Sequence, residues 1–310
     1  MRPPAVLAIH GGAGPGPVER PTPAEAARRW ARQSAGLAEA LQAGLAVLAG
    51  GGEALEAVVA AVTLMEDAEE WNAGRGSALT AAGTVEMDAA VADGRTRRIG
   101  AVACVSGVRH PVAAARAVFD DGRHVLLAGP GAEAFARAAG LPFEPQDWFV
   151  TDRRRRDLAR LAEPAVGSGG STVGAVARDA AGHLAAATST GGRTGQVPGR
   201  VGDSPIPGAG TWADDATCAV SATGVGEAFL RAAFAHEVDA RLRLGGADLE
   251  TACRQALAAV TAAGGDGGCI AVAGEGPPVL PFTTALMHRG WAEVGGALWV
   301  AAEPGPLERR

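Results

Sequence analysis

The sequence predicts a layered protein in which helices cover β-sheets, and three observations carry that expectation. An alanine-rich segment from about Pro23 to Leu48 repeats apolar residues at three- and four-residue spacing and stops at Gly50-Gly51-Gly52, the pattern of an amphipathic helix with a glycine stop. Beyond residue 67 the texture changes to short apolar runs bounded by glycines and other turn formers, as strands require. Helical patterns then return between later runs of the same strand type, so helices and strands come in alternating blocks.

From the N-terminus, residues 5–10 (AVLAIH) read as a buried strand that ends in the glycine-rich turn His10-Gly-Gly-Ala-Gly14. The helix over 23–48 follows. A second helix, from about Glu53 to Asp67, carries Leu55, Val58, Val59, Val62 and Leu64 on one apolar surface and is predicted to pack on the first. Strands are predicted at Thr84–Val91, Ile99–Val105, Thr172–Val176, His183–Thr188, Thr217–Thr223, Cys269–Val272 and Trp291–Val294, and helices near 111–119, 131–139, 226–244 and 247–263. The charge run Asp152-Arg-Arg-Arg-Arg-Asp157 reads as a solvated helix face. It runs into Pro164–Ser171, part of a segment of linker composition over about 160–171.

At 310 residues the chain has room for one large domain or two ordinary ones. Its 47% hydrophobic and 20% charged content belongs to a globular protein with a substantial core. A net charge of −6 leaves no basic footprint, which argues against nucleic acid as a partner. All 28 basic residues are arginine and tyrosine is absent, a bias that says nothing of chemistry. Cys104, Cys218, Cys253 and Cys269 lack C-x-x-C spacing and nearby histidine pairs, so buried reduced thiols are expected rather than zinc or a redox motif. No apolar run reaches membrane-spanning length and the start does not resemble a signal peptide, so the expected location is the cytoplasm.

The stretch Gly167-Ser-Gly-Gly-Ser-Thr-Val-Gly174 sets Thr172 at the seam between the linker and a strand. Three readings are open. Thr172 is a β-branched residue starting a strand; or it belongs to a phosphate loop, against which stand the missing Gly-Lys-Ser/Thr ending and the strand that follows; or it is a nucleophile created by cutting the chain before it. In the last case the hydroxyl attacks while the freed α-amine, whose reference pKa is about 7.7–8.0, takes the proton. Downstream, Thr190 ends the next strand beside Thr188 and Ser189, placed to orient the Thr172 oxygen. Arg200 and Asp203 stand three residues apart in Gly199-Arg-Val-Gly-Asp-Ser-Pro205; they suit the carboxylate and ammonium of an amino-acid end, or form a surface salt bridge. The Thr223 hydroxyl and Gly224 N–H, at a strand-to-helix turn, suit an oxyanion.

In this order the motifs "HGGAG" at 10–14, "NAGRGS" at 72–77, "EMDAAVADG" at 86–94, "TVGAVARD" at 172–179, "AAATSTGG" at 185–192, "GRVGDSPIPGAGTWA" at 199–213, "SATGVGEAFLR" at 221–231 and "MHRGWA" at 287–292 span nearly the whole chain. Together they resemble the plant-type asparaginase / isoaspartyl peptidase family of N-terminal nucleophile hydrolases. The resemblance implies an α+β fold, a four-layer αββα sandwich in a single domain, autocleaved between Ser171 and Thr172 into an α subunit of 1–171 and a β subunit of 172–310. It implies Thr172 as nucleophile with Thr190 in support, Thr223 and Gly224 as the oxyanion hole, and Arg200, Asp203, Gly226 and Asn72 around the substrate. No catalytic cofactor is implied. A structural sodium ion is, held by main-chain carbonyls of Met65, Glu66, Ala68, Trp71, Ala73 and Arg75, as is a homodimer of αβ units acting on L-asparagine or β-aspartyl dipeptides. The sequence departs from the family pattern at Ser171, commonly glycine; at Thr283 and Leu286, usually asparagine and glycine; and at Ala68, Glu69 and Glu70 in the sodium loop. Rival readings are an aspartylglucosaminidase, a threonine-aspartase-like protease, and an unprocessed, non-catalytic relative.

Overall fold

The computed structural model describes residues 3–14, 22–161 and 171–310. Most of the 160–171 linker therefore lies outside the described residues. The chain is α+β. In order it forms β1 (Val6–Gly14), α1 (Pro23–Ala49), α2 (Ala54–Glu66), β2 (Met87–Asp93), β3 (Arg98–Val105), α3 (Pro111–Asp121), β4 (Leu126–Ala128), α4 (Gly129–Ala138), α5 (Gln146–Phe149) and α6 (Asp152–Arg160). There follow β5 (Val173–Arg178), β6 (Leu184–Thr190), β7 (Thr211–Ala213), β8 (Cys218–Gly224), α7 (Gly226–Ala232), α8 (Phe234–Arg243), α9 (Leu249–Ala262), β9 (Gly267–Ala273), β10 (Leu286–Glu293), β11 (Trp299–Ala301) and β12 (Glu308–Arg309).

Nine strands form one sheet in the order β12-β11-β10-β1-β5-β6-β2-β3-β4, and β7-β8-β9 form a second. Helices α1, α2 and α3 pack on the large sheet, burying Leu7, Ile9, Leu37, Leu41, Val58, Val62 and Val91 among them. The sheets meet through Val6, Ala8, Val176, Ala186, Ala219, Ile270 and Val272. Helices α8 and α9 pack on the small sheet, over Val220, Phe229, Phe234, Cys253 and Leu257. Strands buried on both faces explain why they appear in the sequence as continuous apolar runs rather than alternating ones.

Helix α1 starts where its sequence says it should. The Thr22 hydroxyl accepts from Glu25 N–H, and the Glu25 carboxylate accepts from Thr22 N–H at 2.9 Å, a reciprocal cap ahead of Pro23. At Gly44 a side chain would stand 2.7 Å from the Ala57 carbonyl, so glycine lets α1 and α2 approach closely.

Several predicted boundaries move. The expected turn over 10–14 is strand: β1 continues to Gly14 through an irregularity between His10 and Gly12 in its pairing with β10, where Gly12 takes φ +106°. The strand expected over 84–91 is displaced to Met87–Asp93, and that over 291–294 is the end of the longer β10. The helix expected over 226–244 is broken by Ala233 at φ +45°, which frees the N–H groups of Ala235 and His236 to bond the carbonyls of Ala209 and Gly208. An alanine in the left-handed region leaves no sequence signal. The charge run is helical, as α6, but its solvated-face reading fails for two arginines. Arg153 donates to the carbonyls of Glu69 at 2.7 Å and Glu70 at 3.3 Å; Arg154 donates to Gly76 at 2.5 Å and Trp71 at 3.4 Å. Burial draws the Arg154 pKa down to about 9.

Candidate active site

Strand β5 begins at Val173, directly after Thr172, and pairs with both β1 and β6. Central pairing on both sides fixes the backbone that carries Thr172. A buried hydroxyl and imidazole network fixes it further. His10 Nδ1 lies 3.0 Å from the Thr172 carbonyl and its Nε2 lies 3.0 Å from Ser221 Oγ. A carbonyl only accepts, so Nδ1 carries the proton and Nε2 accepts from Ser221. Burial holds the imidazole neutral, with its pKa lowered to about 3. Thr188 stands 2.7 Å from Ser221 Oγ, and Thr211 donates to Thr188 at 2.7 Å.

The Thr172 side chain, only 5% exposed with its residue, donates to Thr190 Oγ1 at 3.1 Å, and that oxygen also accepts from Gly192 N–H at 3.1 Å. One small pocket is lined by Thr172, Thr190, Arg200, Asp203, Gly224 and Gly226, together with Arg193. Six predicted positions thus converge from four separate stretches of chain. Thr223 Oγ1 adjoins them, accepting from Ala13 N–H at 3.2 Å, which leaves its own proton for another acceptor.

Asn72 sits on the other side of Thr172. Its amide donates to the Ser171 carbonyl at 2.5 Å and to the Gly192 carbonyl at 2.7 Å, while its oxygen accepts from Ala78 N–H at 2.6 Å. The last bond sets the amide orientation. Ser171 lies against Gly12, whose own side chain, if it had one, would collide with the Ser171 Cβ.

Arg200 and Asp203 do not form the surface salt bridge that stood as an alternative. Arg200 Nη2 pairs with Glu227 Oε1 at 3.1 Å. Asp203 is 4% exposed and its Oδ2 has no hydrogen-bond partner among the described residues. Burial raises the Asp203 pKa to about 7, opposed by the nearby Arg200 charge. An unpartnered carboxylate oxygen in a buried site is costly unless a donor arrives.

Two acids near the site have no role in the sequence reading. Asp88, inside the matched "EMDAAVADG" stretch, pairs across β2 and β6 with Thr190 and accepts from Cys104 N–H at 2.8 Å and Gly202 N–H at 3.5 Å. It ties the Arg200–Asp203 turn to the sheet, and burial lifts its pKa to about 6. Glu227 bridges Arg200 and Arg193, the latter at 3.3 Å. Burial is the largest single influence and would raise its pKa, but the Arg200 hydrogen bond, its own backbone N–H and the charges of Arg200 and Arg193 together outweigh it, and the value falls. Neither acid stands at a spacing that marks its use.

The Met65–Arg75 loop curls on itself through Ala68 N–H to the Met65 carbonyl at 3.2 Å, Trp71 N–H to Ala68 at 3.4 Å and Arg75 N–H to Glu66 at 2.7 Å. Ala73 and Trp71 are buried. Of the six main-chain carbonyls expected around sodium, those of Met65, Glu66, Ala68 and Trp71 accept hydrogen bonds within the chain, the last from the Arg154 guanidinium. The Glu66 carboxylate takes a different part: it accepts from Ser189 at 2.6 Å and Val112 N–H at 2.9 Å, and burial raises its pKa. Among the described residues no cluster of three or more His, Cys, Asp or Glu side chains stands at metal-holding distances, and no helix is long and apolar enough to cross a membrane. The four cysteines are free, three of them buried.

The sequence is similar to proteins of known name across almost its whole length. A family profile described as asparaginase matches residues 3–301. An isoaspartyl peptidase of Salmonella typhimurium is 46% identical over 304 residues, covering 94% of this chain and 96% of that protein. An isoaspartyl peptidase of Escherichia coli is 44% identical, with 94% of each chain covered. A plant-type L-asparaginase of Pyrobaculum calidifontis is 41% identical, over 93% of this chain and 97% of its own. With its threonine pair, its Arg–Asp turn and its glycine strand end gathered in one pocket, this chain belongs to the asparaginase family that holds these isoaspartyl peptidases and plant-type asparaginases.

Proposed function

We propose that the protein is a hydrolase of β-aspartyl amide bonds, acting on L-asparagine and β-aspartyl dipeptides, with Thr172 as an N-terminal nucleophile freed by autocatalytic cleavage. The observation that carries this reading is the buried, unpartnered Asp203 Oδ2 in the same pocket as Arg200 and the Thr172–Thr190 hydroxyl pair. An ammonium supplies the donor Asp203 lacks, and a guanidinium suits the α-carboxylate beside it. A substrate anchored by both α-groups presents its side-chain carbonyl to Thr172.

For self-cleavage, Thr172 Oγ adds to the Ser171 carbonyl carbon, and the Asn72 amide, already on that oxygen, receives the developing charge. The hydroxyl proton passes to the Thr172 nitrogen as the C–N bond breaks, water hydrolyses the resulting ester, and the freed α-amine becomes the general base. In turnover Thr172 attacks the substrate's side-chain carbonyl, the α-amine carries the proton to the leaving amine, and Thr223 with Gly224 stabilises the oxyanion. Thr190 holds the nucleophile's oxygen; Gly226 lines the α-group end. Water releases aspartate.

The two packed sheets with helices on their outer faces support a four-layer αββα sandwich in one domain, divided into subunits 1–171 and 172–310. Structural sodium in the carbonyl-rich loop would brace the segment that carries Asn72; it takes no part in the chemistry. The homodimer rests on the resemblance.

Intact mass before and after incubation, with hydrolysis of asparagine and β-Asp-Leu, tests the reading. Two chains and turnover of either substrate are expected. A single 30.9 kDa chain without hydrolysis would support the non-catalytic alternative that Ser171 raises.

A further inference from the structure

We propose that Arg193 is a specificity residue that receives the carboxylate of the leaving amino acid, so that the site favours β-aspartyl dipeptides with a free C-terminal carboxylate. This rests on the reading of Thr172 as nucleophile and β-aspartyl amides as substrates.

Arg193 lines the pocket that holds the reacting threonine. Its backbone is tied to that threonine step by step. Thr190 bonds Thr172; Gly192 N–H donates to Thr190; Asn72 holds the Gly192 carbonyl; and Arg193 N–H donates to Gln196 Oε1 at 2.7 Å. Gly192, at φ +72°, makes the turn that brings Arg193 back over the pocket. The guanidinium is therefore delivered by a pinned turn, not by a free loop.

Charge decides what it does there. Arg193 and Arg200 share a single carboxylate, Glu227, one on each oxygen. Arg200 already gives Glu227 its closer partner, with Nε and Nη2 both at 3.1 Å, against 3.3 Å for Arg193. One bond to Glu227 leaves most of the five guanidinium donors of Arg193 for another acceptor. Free asparagine has one carboxylate, and Arg200 with Asp203 accounts for both of its charged groups. A β-aspartyl dipeptide has two carboxylates, with four carbons and one nitrogen between their carbon atoms. Because both guanidiniums bond one carboxylate, they stand side by side at the pocket, where one short substrate can reach both. The second carboxylate belongs to the amine that departs, so the contact is lost with the product.

The test compares kcat/KM of the mature, cleaved enzyme for β-Asp-Leu and for β-Asp-leucinamide, whose C-terminal carboxylate is blocked. A charge-assisted contact predicts at least about a tenfold preference for the free carboxylate. In Arg193→Gln the preference should fall to about twofold, whereas Arg193→Lys should keep a part of it, because a point charge remains without the fork. Equal rates for the two substrates in the parent enzyme, or an unchanged ratio in Arg193→Gln, would overturn the assignment and leave Arg193 as a partner of Glu227 alone. A cleaved parent enzyme that hydrolyses neither substrate would overturn the reading of the site itself. Ratios within one variant are read, so a general loss of folded enzyme does not mimic the result.

Discussion

Replacing Asp203 by asparagine should stabilise the folded chain at neutral pH while removing substrate binding. The Asp203 carboxyl titrates at about 7 in the fold against 3.8 for the free group, chiefly because burial disfavours its charge. Its folded pKa is the higher one, so the folded state holds the proton longer than the unfolded chain. Stability from this group is full below pH about 4, declines as pH rises, and is lost above about 7. At about 1.4 kcal/mol per pH unit, ionised Asp203 costs the fold about 4 kcal/mol at pH 8. Asparagine does not titrate, so the variant escapes the cost. The assay is urea unfolding at pH 5, 6, 7 and 8, in a Thr172→Ala background that keeps the chain uncut. About two-thirds of the interval lies above pH 5, so the Asp203→Asn advantage should widen by about 3 kcal/mol from pH 5 to pH 8. A constant difference would refute the argument that burial of an unpartnered carboxyl shifts its titration. An offset from the amide's own contacts cancels in the pH dependence.

In mature enzyme, kcat/KM for asparagine should fall as pH drops below about 7, because protonated Asp203 offers no charge to the substrate ammonium; a profile flat to pH 5.5 would contradict that role. Asn72→Ala should slow self-cleavage by about 100-fold or more, read by the appearance of two chains, since one amide donor on the Ser171 carbonyl is lost. Thr172→Ala should remain one chain and be inactive; full activity would remove the nucleophile from the mechanism. Arg154→Met should lower unfolding free energy by about 3 kcal/mol, because a buried cation that bonds the Gly76 and Trp71 carbonyls is replaced by a side chain with no donor. Unchanged stability would show that the loop does not depend on it.

The strands and long helices were legible because local burial repeats locally: apolar runs and three-four spacing survive whatever the chain packs against. The seam at Thr172 was legible too, since a flexible stretch and a buried strand meet there within a few letters. Ala233 was not, as its left-handed backbone serves carbonyls of residues 208 and 209, far along the chain. The arginines of residues 153–156 have one composition and two fates, decided by which of them faces the carbonyls of residues 69–76.

The sequence by itself determined which residue types the site contains and the order in which they come, because motifs are local and chemistry belongs to side chains. The tertiary structure alone decided that Arg200 turns to Glu227, that Asp203 is left buried and unpartnered, that Asn72 reaches the Ser171 carbonyl across 99 residues, and that Arg193 joins the pocket. The reason is physical: burial and hydrogen-bond partnership depend on what distant segments bring into contact, and nothing within a short stretch of chain encodes the charge it will meet.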